Sequence, residues 1–152
     1  MTMVWATPAE VREVFSVQAS ALGAAEWPPL PEADVAVQAL IDNATRSLVP
    51  KVIRWPILDD TDRPEDTEQA GHVVAAVCEV IRDRLVTKTA VAEVGGRGAA
   101  NVIASGGRVK AGTLEVQGGG NGAWLAGRSR VPVDAIFALQ NAGLIGGSVP
   151  TC

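Results

Sequence analysis

The chain has 152 residues and a net charge of −4, with 47% hydrophobic and 20% charged residues, four Trp, two Phe and no Tyr. That is enough for one domain with a real core and too little for two comfortable ones. No apolar run reaches the roughly 18 residues of a membrane helix, the first residues lack the basic and apolar parts of a secretory signal, and two cysteines without a CxxC fit a reducing cytoplasm rather than a disulfide framework.

The first predicted helix runs from Pro8 to about Leu22. Thr7, Pro8 and Glu10 match a capping box with proline in the first turn. Val11, Val14, Phe15, Gln18 and Leu22 form its mostly apolar stripe, and Gly23 is its stop. Trp27-Pro28-Pro29-Leu30-Pro31 reads as a rigid extended link. A second helix is expected from about Glu32 to Leu48, with Val37, Leu40, Ile41, Ala44 and Leu48 apolar and Pro50 ending it. Lys51–Trp55 reads as a short strand or an extended crossing, and Asp59, Asp60 and Asp62 form an acidic turn.

The third helix is expected to be the main beam of the core. A possible capping box at Asp62–Glu65 opens it, with Pro64 in the first turn. Ala70, Val73, Val74, Val77, Ile81 and Leu85 give the long apolar stripe of a helix of about twenty residues. After Val86 the character changes. From Gly95 to Gly127, eleven of thirty-three residues are glycine, which costs backbone entropy and leaves little to bury. Asn101–Ser105 and Arg108–Gln117 carry short alternating or β-branched runs, and Gly106-Gly107 suits a two-residue primed turn. A last helix is expected from Val131 to about Leu144, with Pro132 at its first position and Gly143 near its end.

This predicts a mainly α fold: a bundle of three to four helices with a glycine-rich β-hairpin arm and a short C-terminal helix. The expected parts are a helical body at 1–87, a strand-bearing arm at 88–130, and a helix with tail at 131–152, within one domain overall. Charge divides along the same lines. Residues 1–87 hold fourteen acids and seven bases, whereas residues 88–152 hold three acids and six bases. Either ordinary solvated surface or an acidic body with a basic docking arm accounts for this.

Candidate chemistry fails residue by residue. Gly96-Arg97-Gly98 begins a GxG, but Asn101 stands where a dinucleotide fingerprint needs its third glycine, and there is no phosphate-loop lysine. His72 is the single histidine. Glu68, His72 and Glu79 share one helix face loosely and read as ordinary ion pairing rather than a metal site. Cys78, six residues on from His72, points to the opposite side, so no Cys/His nucleophile is supported. The acids from Asp59 to Glu68 do not match a calcium loop, because Arg63-Pro64 interrupts the spacing. A pI near 5.0 and scattered bases without interleaved aromatics do not suit gripping nucleic acid. No cofactor or metal is expected, and no catalytic activity.

The order of parts does carry a resemblance. Three helices with a proline-rich first link, a long third helix ending in Ile81-Arg82-Asp83-Arg84-Leu85, a glycine-broken pair of runs at Arg108–Gly120, and a short final helix at Val131–Leu144 resemble the head-to-tail adaptor (connector) proteins of long-tailed bacteriophages, especially those infecting actinobacteria. The likeness covers about residues 8 to 145. It implies a structural virion protein, assembled in the host cytoplasm, that forms a ring, usually of twelve subunits, between the portal and a stopper or tail-completion protein. DNA would pass through the lumen without sequence-specific binding, and no membrane is involved. The strand-rich arm and final helix would reach neighbouring subunits or the portal, through Val109, Lys110, Leu114, Val116, Ile136, Phe137 and Leu139. The alternative from another class is a small cytoplasmic nucleotide-binding protein or enzyme that uses the glycine-rich loop.

Overall fold

The computed structural model describes residues 2–93, 108–111, 114–117 and 131–146, with side chains described over 2–88 and 131–146. The described chain is mainly helical. Its elements are α1 (Pro8–Leu22), α2 (Asp34–Leu48), a 3-10 turn (Val49–Lys51), α3 (Thr67–Glu93), β1 (Arg108–Ala111), β2 (Leu114–Gln117) and α4 (Val133–Asn141). Two compact units result: Met1–Arg82 with Val131–Cys152, and Asp83–Arg130. The final helix therefore belongs to the same unit as α1 and α2.

The first helix forms as its sequence dictates. The Thr7 hydroxyl accepts the Glu10 N–H at 3.4 Å, and the Glu10 carboxylate accepts the Thr7 N–H at 2.9 Å, so two otherwise unpaired donors are satisfied reciprocally. Gly23 ends the helix at φ 96, a conformation costly for any residue with a Cβ. Leu22 departs from the expected stripe and stands 56% exposed. α2 begins at Asp34, two residues later than expected. Asp34 and the Glu32 carbonyl instead receive the Arg12 guanidinium from α1, at 3.0 Å and 2.7 Å.

The start of α3 is corrected more substantially. Residues 62–65 are committed elsewhere: Asp62 lies at φ 60, Leu58 bridges Pro64, and the Glu65 N–H donates to the Ile57 carbonyl at 2.9 Å. The cap falls to Asp66, whose carboxylate accepts the N–H groups of Glu68 and Gln69 at 2.9 Å and 3.2 Å. The helix then runs 27 residues. Val73, Val74, Ala76, Val77, Cys78, Val80 and Ile81 are all buried, which is wider than one stripe. A helix apolar nearly all round in its middle is a core helix.

Val11 and Phe15 of α1, Val37, Ile41, Ala44 and Leu48 of α2, and Ala135, Ala138 and Leu139 of α4 complete the apolar core. Among the described residues, no buried residue is polar or charged. α4 is shorter than expected, with Pro132 as its N-cap rather than its first residue. Gly143 at φ 74 and the Leu144 N–H donating to the Leu139 carbonyl at 3.0 Å close its C-terminus in the manner of a Schellman motif.

In the other unit, β1 and β2 pair antiparallel, with Val109 opposite Val116 and Ala111 opposite Leu114. Within the stretch Arg108–Gln117 the described residues thus form two strands, Arg108–Ala111 and Leu114–Gln117. Asn101–Ser105, Gly106-Gly107 and the glycines of 118–127 lie outside the described residues. The glycine-rich arm as a whole is accordingly not supported by the fold.

Candidate interaction surface

Three of the expected contact residues lie on α4, and the fold separates them. Phe137 is 55% exposed, Ile136 is half-buried, and Leu139 is fully buried. Leu139 is therefore corrected from a contact residue to a core residue: the face carrying Ala135, Ala138 and Leu139 seats the helix. The opposite face presents Val133 and Phe137, four residues apart and both exposed. Val109, Lys110, Leu114 and Val116 occupy the paired strands, where Val109 and Val116 are register partners and Lys110 faces Glu115.

A second apolar exposure lies where sequence reading placed none. The strap between the 3-10 turn and α3 leaves Ile53 69%, Trp55 54% and Ile57 75% exposed. Two consecutive N–H groups, of Ile53 and Arg54, donate to the one Leu144 carbonyl at 2.8 Å and 3.0 Å. In a straight strand successive N–H groups diverge, so this convergence bends the strap, and of the strand or crossing expected at Lys51–Trp55 the crossing is what forms. The Trp55 ring is held edge-on against buried Trp5, with centroids 6.3 Å apart.

Trp55-Pro56 forms a wall between two open grooves. One, of about 480 Å³, runs past Arg54, Ile57, Glu65, Asp66 and Leu144. The other, of about 430 Å³, runs past Met3, Leu58, Asp59 and Asp62. Gln69 lines the first groove and donates from Nε2 to the Ala142 carbonyl at 2.6 Å, joining α3 to the end of α4.

Polar groups nearby are engaged in holding the turn. The Asp59 carboxylate accepts the Thr61 hydroxyl at 2.6 Å and the N–H groups of Thr61 and Arg63 at 2.8 Å and 3.1 Å. The Thr61 hydroxyl, then the backbone donors, hold its carboxyl below the usual range. Arg63 Nη2 reaches Glu10 at 2.5 Å. Partial burial pushes the Glu10 carboxyl up, but bonds from Arg63 and Thr7 outweigh it and leave it lowered.

The helical candidates for chemistry do not converge. His72 Nε2 is 3.9 Å from Glu68, whereas Glu79 pairs with Arg82 at 3.1 Å. Among the described residues, no three potential metal ligands gather. Burial pushes the Cys78 thiol up to about 12, so it is inert as a nucleophile in the folded chain. No helix among the described residues is long and apolar enough to cross a membrane.

The surface missed by sequence reading had a signal, the alternation Ile53, Trp55, Ile57. That pattern ordinarily marks an inward strand face, and only the bent backbone turns it outward. No family model matches the chain, and neither a curated protein nor a solved structure matches it.

Proposed function

We propose that this chain is a non-catalytic structural subunit of the head-to-tail adaptor type, forming a ring between a phage portal and the stopper or tail. The observation that carries the reading is the division of the chain. A glycine-rich segment, Asp83–Arg130, makes a compact unit of its own, and the residues on either side of it, Met1–Arg82 and Val131–Cys152, make the other. An inserted, glycine-rich unit of this kind suits a segment that gains its contacts from neighbouring subunits. Exposed Val133 and Phe137 on α4, with Trp55 on the strap, support a surface made for protein contact. In this reading the glycine-rich arm, the hairpin within it and α4 carry the contacts to neighbours or portal, and the protein resides in the virion.

The test replaces Gly95–Arg130 with a flexible Gly-Ser linker, which keeps α4 and its core residues. The shortened protein is expected to fold, by circular dichroism, and to lose docking on portal rings. Electron micrographs of the full chain mixed with portal should show an added ring around the channel. Undiminished docking by the shortened chain would overturn the role of the arm, and an absence of docking by the full chain would overturn the adaptor reading.

A further inference from the structure

The two compact units carry opposite charge. Met1–Arg82 with Val131–Cys152 holds fourteen acidic and six basic residues, whereas Asp83–Arg130 holds three acidic and seven basic. The Trp55 strap belongs to the acidic unit, and acids border both of its grooves: Glu65 and Asp66 the first, Asp59 and Asp62 the second. Among the described residues, Arg54 is the one base lining the first groove. The strap therefore offers exposed Trp and Ile side chains inside an acidic rim. Such a surface fits a partner segment that alternates apolar and basic residues. This chain has one, Arg108-Val109-Lys110 in β1, in the unit with the basic excess.

We propose that the Trp55 strap is the docking surface for the basic, strand-bearing unit of a second copy of this chain. Trp55 is the central anchor, held in place by Trp5 before any partner arrives, and Ile53 and Ile57 flank it. The acids around the grooves meet the bases of the incoming unit, which sets orientation and speeds encounter. Strap-on-strap pairing would instead bring two acidic rims together. The contact thus joins two different surfaces, so each copy uses one as donor and the other as acceptor. Repetition of a contact of that kind closes a ring or extends a filament. The inference rests on the ring-subunit reading for its biological meaning, but not for its test.

The experiment is sedimentation velocity of the full chain over a wide concentration range, without portal. Mass is expected to rise with concentration at low salt and to fall back at high salt, because the rim charges are exposed. Ile57→Asp should weaken association by about tenfold or more, as should the double change Arg108→Glu with Lys110→Glu. Ile57 is 75% exposed, so its replacement leaves the fold intact by circular dichroism. Mixing the two variants should restore a one-to-one pair, because one contributes an intact strap and the other an intact basic unit. A wild-type chain that stays monomeric throughout, variants that associate like wild type, or a mixture that stays monomeric would each overturn the proposal. Portal docking is read separately: self-association without docking removes the adaptor reading alone, and docking without self-association removes this contact alone.

Discussion

The same dipeptide, Trp-Pro, occurs in both links between the first three helices, and its two copies meet opposite fates. Trp27-Pro28 joins α1 to α2, and Trp27 is 4% exposed. Its ring stands edge-on to Phe15 at 5.0 Å, and the Arg82 guanidinium lies 5.2 Å above it. Trp55-Pro56 joins α2 to α3, and Trp55 stands 54% exposed with an edge contact to Trp5. Proline fixes the backbone alike in both. What differs is the neighbour. Arg82 reaches over the first link, donating to the Glu26 carbonyl at 2.9 Å, whereas the second is tied through its backbone, by Ile53 and Arg54 to the Leu144 carbonyl and by Ile57 to Glu65. One link closes a core and the other is left open at the surface.

The comparison is broken most directly by deleting each ring. Trp27→Ala should cost about 3–5 kcal/mol in chemical denaturation, and Trp55→Ala only about 1 kcal/mol, since half its surface is already in water. Equal losses would refute the distinction. Trp27→Phe should cost far less than Trp27→Ala, because the buried Trp27 Nε1 has no hydrogen-bond partner among the described residues to lose. Next in size is the seat of the open link. Leu139→Ala should cost about 2–4 kcal/mol, because it hollows the face that holds α4, whose end ties Ile53 and Arg54. An accompanying rise in amide exchange at Ile53 and Arg54 would locate the effect; unchanged exchange there would argue against the tie.

Smaller effects sharpen the same contrast. Thr7→Ala removes the α1 cap beside Trp5 and should cost about 1 kcal/mol by thermal melt. The Glu10–Arg63 pair adds a pH dependence. The Glu10 carboxyl is lowered in the folded chain from its ordinary 4.5, so its stabilisation is full above that value and is lost as pH falls through the lower folded one. The difference in melting temperature between wild type and Arg63→Met should therefore shrink below pH 4.5. A difference that stays constant into acid would remove the pair from the account.

Much of the helical body was legible because its signals are local. Thr7, Pro8, Glu10 and Gly23 fix α1 within a few residues of chain, and the period of Val37, Ile41, Ala44 and Leu48 fixes the buried face of α2. The errors arise where distant backbone intervenes. Asp62–Glu65 has the composition of a helix start, but Glu65 is bonded to Ile57, so the cap passes to Asp66. Lys51–Trp55 reads equally as a strand or a crossing, and the Leu144 carbonyl, which captures two of its donors, decides for the crossing. The candidate surface was less legible still. Leu139 and Phe137 are both apolar and two residues apart on one short helix, and only the packing of α4 decides that one is core and the other is exposed.

The buried thiol of Cys78 has a practical consequence. With its ionisation pushed up to about 12 and no exposure to solvent, it is silent toward disulfide reagents while α3 is packed. In a Cys152→Ser background it becomes a single internal clock. Its modification rate counts openings of the central helix, so the free energy of that opening can be read in the native protein without denaturant. Comparing that rate before and after the protein joins an assembly would tell whether assembly tightens the body itself or only covers its outside.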